Sequence, residues 1–83
     1  MVKVLFFAGL REAVGTSAED LSLPAGVSTV GSLRDHLAGR GEPWEALGRM
    51  RNLRAAVNQA MAGPEAPVAD GDEVAFFPPV TGG

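Results

Sequence analysis

The two most apolar runs of this chain stand at its opposite ends. Val2-Lys3-Val4-Leu5-Phe6-Phe7 opens it and Glu73-Val74-Ala75-Phe76-Phe77 closes it, both rich in the β-branched and aromatic residues that favour strands. Alternation puts Val2, Val4, Phe6, Val74 and Phe76 on one face, with Lys3, Leu5, Phe7, Ala75 and Phe77 on the other. Apolar groups on both faces need cover on both sides, so one face meets the core and the other needs a second layer or a partner. Strands of this kind belong side by side in the centre of a sheet, and the fold must bring the chain's ends together. Pro78-Pro79 then stops the pairing, because proline donates no N–H and its fixed φ leads the chain away extended.

The intervening residues fit that frame. Leu10, Ala13 and Val14 read as a short helical turn with Gly15 as its C-terminal cap. Ala18 to Leu23 alternates like a half-buried antiparallel strand, and Pro24-Ala25-Gly26 turns the chain. Ser28 or Thr29 caps the main helix, in which Val30, Leu33, Leu37 and Ala38 recur at helical spacing before Gly39 to Gly41 ends it. Pro43 suits the first turn of another short helix that carries Trp44 and Leu47 inward. Leu53 to Val57 reads as a strand with Asn58-Gln59 as its turn, and Gly63 to Ala69, with Pro64 and Pro67, as an edge or loop crossing. Asp70-Gly71-Asp72 is a tight turn into the last strand. Two hairpin-like halves around one amphipathic helix predict an α+β roll, a mixed sheet packed on one main helix. The expected organisation is a domain over 1–77 and a flexible C-terminal diglycine tail over 78–83.

At 83 residues the chain is one domain burying about 60–65% of its unfolded surface. Its core is thin, with 46% hydrophobic residues, four Phe and one Trp, and stability is expected near the low end of about 5–15 kcal/mol. The absence of cysteine removes disulfides, zinc-thiolate sites and thiol nucleophiles, and fits a reducing compartment. With no leader pattern and no apolar run near the ~20 residues of a membrane span, the expectation is a soluble, cytoplasmic protein that engages no membrane. A net charge of −3 disfavours phosphate backbones, so no nucleic-acid partner is expected; Arg49, Arg51 and Arg54 read as a solvated rim. His36, the single histidine, sits on the polar side of the main helix and makes no metal site without further ligands. Asp70, Asp72 and Glu73 lack the remaining ligands of a calcium loop and are explained by turn chemistry.

The chain end is expected to carry the chemistry, against the alternative of an ordinary frayed terminus. Val80-Thr81-Gly82-Gly83 follows the proline pair, and six extended residues reach up to about 20 Å. Glycine lacks a Cβ, so such a tail enters a channel too narrow for other residues. A neutral-pH carboxylate is a poor electrophile until a partner converts it to an acyl adenylate or acyl phosphate, which a thiol or persulfide then attacks. This chain has no phosphate-binding Gly-rich loop and only one lysine, Lys3, so the ATP chemistry must come from another protein. Phe7 and Phe77, on the outer parity, form an exposed apolar patch beside the tail, as a docking surface would.

Lys3 to Ala8, Arg11-Glu12, Val14-Gly15-Thr16, Ala56 to Gln59 and above all Asp70 to Gly83 resemble the small subunits of molybdopterin synthase, the MoaD-type sulfur carriers. The resemblance spans the whole chain and is strongest over its last fourteen residues. It implies a ubiquitin-like β-grasp fold. It implies that Gly83 is adenylated by a ubiquitin-activating-type enzyme using ATP, becomes a thiocarboxylate with sulfur from a persulfide donor, and gives that sulfur to cyclic pyranopterin monophosphate inside the synthase large subunit. The implied assembly is a heterotetramer, with no cofactor bound by this chain. Carried over by residue, Gly83 bears the sulfur and Gly82, Thr81, Val80 and Pro79 insert with it, while Phe7, Arg11, Met61 and Phe77 dock the partner. The chain departs from the family pattern over Gly39 to Arg54, and at Gly31, where an acidic residue would cap the helix better. The rival readings are a sulfur carrier for thiamin or tRNA thiolation, and a ubiquitin-like tag or adaptor.

Overall fold

The two terminal runs pair in the middle of the sheet. The structure, a computed structural model, describes residues 1–50 and 52–78. In chain order its elements are β1 (Val2–Phe6), α1 (Ala8–Val14), β2 (Ala18–Leu21), α2 (Val30–Ala38), α3 (Ala46–Arg49), β3 (Arg54–Val57), β4 (Ala60–Ala62) and β5 (Glu73–Phe77). The sheet order is β2-β1-β5-β3-β4. β1 and β5 run parallel, with Val4 beside Val74 and Phe6 beside Phe76, and the other neighbours are antiparallel. This is the mixed sheet on one main helix expected from the sequence, with the β-grasp connection of first to last strand at its centre. Among the described residues no helix is long and apolar enough to cross a membrane.

One face of the sheet supplies the core. Val2, Val4, Phe6, Val74 and Phe76 are each at most 1% exposed and pack with Leu10, Leu33, Leu37 and Leu47, which are fully buried. Trp44 closes one side of this core, edge-on to Phe6 at 5.5 Å between ring centroids. Burying such a side chain contributes about 1.5–3 kcal/mol, so these few residues carry most of what stabilises a small sheet. Arg40 lies 4.7 Å over the Trp44 ring and grips Glu19 with two hydrogen bonds of 2.8 and 2.6 Å. That pair ties edge strand β2 to the end of α2; the Arg40 hydrogen bond holds the Glu19 carboxyl below its ordinary range, against the opposing effect of burial.

Turn chemistry matches the sequence where it is local. Gly15 caps α1 at φ 81°. Thr29 caps α2 reciprocally with Ser32: the Ser32 amide donates to Thr29 Oγ1 at 3.1 Å and the Thr29 amide to Ser32 Oγ at 2.9 Å. Asn58 and Gln59 both take positive φ, 50° and 69°, the mirror-image turn whose twist suits a two-residue hairpin.

Three features differ from the sequence expectation. The hairpin has a second arm, β4, whose Ala60-Met61-Ala62 holds no β-branched or aromatic residue and so gives no strand signal. α3 starts at Ala46, with Pro43 in the turn ahead of it, where its carbonyl accepts from the Ala46 amide at 3.2 Å. Gly31 has a tertiary reason: its amide donates to the Pro64 carbonyl at 2.8 Å, and a Cβ there would lie 3.1 Å from that oxygen and 3.3 Å from Pro64 Cβ. The 63–67 crossing therefore lies directly on the start of α2, and an acidic side chain would push it off. The Val30 amide donates to the Ala66 carbonyl at 3.0 Å, so this crossing satisfies helix donors that a capping carboxylate would otherwise meet.

Candidate functional site

The sheet face turned away from α2 is built in three rows. The first is charged and lies where β1 and β5 begin: Glu73, Lys3 and Asp20 stand side by side in register. The second crosses all five strands and is wholly apolar: Met61 opposite Ala56, Ala56 opposite Ala75, Ala75 beside Leu5 and Leu5 opposite Ala18. The third lies where β5 ends, with Arg54 opposite Phe77 and with Phe7 following Phe6. Three alanines make the middle row low and flat. Phe7, 47% exposed, and Met61, 64% exposed, rise from its borders.

Alternation places each of these side chains. Ala55 and Phe76 point into the core, so Arg54, Ala56 and Phe77 point outward, and the burial pattern of β5 falls from buried Phe76 to half-buried Phe77 and Pro78. Phe7 leaves β1 in extended geometry as the N-terminal flank of α1; its amide donates to the Phe76 carbonyl at 3.2 Å, which fastens it beside the end of β5. Arg11 is exposed on α1, and its amide donates to the Phe7 carbonyl at 3.3 Å, so the helix begins at the same end of the sheet.

Of the four residues expected to meet a partner, Phe7 and Phe77 stand at the same end of the outer face, Met61 lies on that face at the far edge strand β4, and Arg11 is on the helix that springs from Phe7. The residues expected to insert, Pro79, Val80, Thr81, Gly82 and Gly83, lie outside the described residues. Sequence reasoning missed the alanine row, because an alanine carries no strand signal and only the register shows that Ala18, Ala56 and Ala75 share a line. It also placed Arg54 among solvated cations, without the information that it opposes Phe77.

The charged end is held by turn chemistry. Asp72 accepts from the Ala69 amide at 2.8 Å and from Asn58 Nδ2 at 3.0 Å, and Asn58 Oδ1 accepts from the Glu73 amide at 3.0 Å. The Ala69 amide, then the Asn58 side chain, hold the Asp72 carboxyl below its ordinary range. The carboxylate therefore fastens the β3–β4 turn to the start of β5. Among the described residues no group of three or more His, Asp or Glu is placed to hold a metal ion. A cleft of about 450 Å³ lies on the helix side of the sheet between α2 and the β3–β4 hairpin, over Leu53, Ala55 and Phe76. Its Arg34 bonds the Leu47 carbonyl at 2.7 Å and the Met50 carbonyl, holding the end of α3. That cleft lies on the other side of the sheet from Phe7 and Phe77.

Such a face offers binding rather than catalysis: a flat apolar band, aromatic at the end from which the chain's last residues depart. A family model described as the ThiS family matches residues 4–83. The molybdopterin synthase sulfur carrier subunit of Escherichia coli (strain K12) is 51% identical over 83 residues, which is 100% of both chains. Among solved structures, SAMP1 from Haloferax volcanii aligns with a TM-score of 0.78 at 30% identity, over 99% of this chain and 98% of that one. A complex of subunits 1 and 2 of molybdopterin-converting factor from Helicobacter pylori 26695 contains the same fold, with a TM-score of 0.65 at 23% identity over 99% of this chain and 97% of that one.

Proposed function

The chain belongs to the ThiS family, and from that membership we propose that it is the sulfur-carrier subunit of a molybdopterin synthase in molybdenum cofactor biosynthesis. The observation that carries this reading is the 51% identity to a molybdopterin synthase sulfur carrier subunit, which runs the full length of both chains and therefore takes in the terminal glycines. The outer face supports it, since a carrier must dock before its tail reaches a partner's reacting centre.

The Gly83 carboxylate attacks the α-phosphorus of ATP on an adenylating enzyme and releases pyrophosphate. The outer sulfur of a donor persulfide then attacks the acyl carbon and AMP leaves; a partner's thiol cleaves the resulting acyl disulfide, so that the thiocarboxylate departs on Gly83 and the two partner sulfurs are left joined as a disulfide. Inside the large subunit its sulfur passes to cyclic pyranopterin monophosphate. Gly82, Thr81, Val80 and Pro79 occupy the channel, where the missing Cβ of Gly82 keeps the bore narrow. Phe7, Met61 and Phe77 supply the apolar contact, and Arg11 lies at its rim. Catalytic groups and ATP belong to the partners, and this chain acts as co-substrate and subunit.

The test is reconstitution from the full chain, the adenylating enzyme, ATP, a sulfide source and the large subunit, read by intact mass and by dithiolene formation. Replacement of one terminal oxygen by sulfur is the expected product. Removing Gly82-Gly83 is expected to abolish transfer while leaving the melting temperature unchanged; an active truncated chain refutes the proposal. Likeness to the solved structures of SAMP1, a small archaeal modifier protein, favours a second reading, a protein modifier. Lysine-branched conjugates, in place of a free thiocarboxylate, would establish that alternative.

A further inference from the structure

The arginines of the described residues fall into two groups. Arg34 holds backbone carbonyls of α3, Arg40 is paired with Glu19, and Arg49 lies 3.6 Å from Glu42 and 3.4 Å from Glu45. Arg11 and Arg54 have no carboxylate within ion-pair distance among the described residues. In a protein of net charge −3 with ten acidic residues, Arg54 and Arg11 bring two guanidinium groups without an ion-pair partner among the described residues to one end of the sheet, with Glu12 the acidic neighbour of Arg11 on α1. The carboxylates of the outer face, Asp20 and Glu73, lie at the opposite end beside Lys3.

Arg54 is the more informative of the two. It is exposed, it is the first residue of β3, and it stands directly opposite Phe77, the last residue of β5. Directly opposed side chains on one face have Cβ atoms about 4.5–5.5 Å apart, so Arg54 is within reach of Phe77 and of the strand end at which Pro78 follows. A protein that takes up the residues after Pro78 approaches the end of the sheet at which Arg54 and Phe77 lie. Arginine beside an aromatic is a favoured interface pairing, and its planar fork matches a carboxylate.

Resting on the sulfur-carrier reading above, we infer that Arg54 is a specificity-determining docking residue that meets a carboxylate on the channel rim of the synthase large subunit. The large subunit is the partner because the 51% identical relative is described as a subunit of the synthase, which requires a lasting face-to-face contact. Arg54 acts on recognition and orientation; the transfer chemistry stays with Gly83.

The test measures association of the full chain with purified large subunit at low and high salt, by stopped-flow and calorimetry. Arg54→Glu is expected to weaken affinity about tenfold at low salt, mainly through the association rate, with the difference shrinking as salt rises. Arg54→Lys is expected to keep most of the affinity. Arg54→Met, which keeps the stem and loses the charge, is expected to lie between, with an unchanged melting temperature that separates a charge effect from lost packing. Phe77→Asp serves as the control for the docking face itself. Parent-like affinity of Arg54→Glu alongside weak binding of Phe77→Asp overturns this inference alone. Parent-like affinity of both overturns the docking face and the sulfur-carrier reading with it. A loss confined to loading by the adenylating enzyme overturns the choice of partner.

Discussion

Phe76 and Phe77 are adjacent, chemically identical and assigned to opposite faces, so truncating each in turn separates folding from docking. Phe76 is 1% exposed and packs in the core beside Phe6, whereas Phe77 is half-buried on the outer face opposite Arg54. A buried Phe→Ala change costs about 3–5 kcal/mol through lost transfer energy and the cavity left behind. Against a total near the low end of about 5–15 kcal/mol, Phe76→Ala is expected to leave the chain largely unfolded or molten. Phe77→Ala removes only partial burial and is expected to cost about 1 kcal/mol of stability. In the complex the order reverses, because an aromatic anchor at the dry centre of an interface is worth about 2 kcal/mol or more, near thirtyfold in Kd. Urea denaturation followed by circular dichroism gives the first quantity, and calorimetric titration with the large subunit gives the second. Equal stability losses for the two variants, or a folded Phe77→Ala chain that binds as tightly as the parent, refutes the parity argument on which the docking face depends.

Gly31→Val is expected to destabilise by about 1–3 kcal/mol, since its branched side chain must displace the Pro64 backbone lying 3.1 Å from the Cβ position; a melting temperature equal to or above the parent's contradicts the close-approach account. Asp72 has a lowered folded-state pKa, so its stabilisation is present above the ordinary Asp pKa of about 3.9 and is lost as pH falls through the lower folded value. Asp72→Asn is therefore expected to flatten the acid arm of the stability curve below about pH 5 while keeping its shape near neutrality. Parallel acid arms for parent and variant, in melting temperature against pH, would remove Asp72 from the network that joins the two turns.

Much of the fold is legible because its signals are local. The two terminal runs announce paired central strands through their composition, Gly15 and Asn58 mark backbone that must turn, and Ser28-Thr29 marks a helix start, of which the structure selects Thr29 paired with Ser32. The outer placement of Phe7 and Phe77 follows from counting by twos along each strand. The third strand's small partner, β4, left no such trace: alanine and methionine carry little strand preference, and the hairpin forms because its turn and the Ala55–Ala62 pairing demand it.

The chain's sequence by itself settled the strand parity, the main helix, the proline stop after Phe77 and the resemblance carried by its last fourteen residues, since each depends on neighbours within a few positions. Tertiary structure alone decided that Met61, Ala56, Ala75, Leu5 and Ala18 form one apolar row, that Arg54 stands opposite Phe77, and that Gly31 must stay small beneath Pro64. Those relations join residues up to some seventy positions apart. They are fixed by register, which the packing of Phe6, Phe76 and the helix side chains sets, because a slip of one residue would turn every buried group to water.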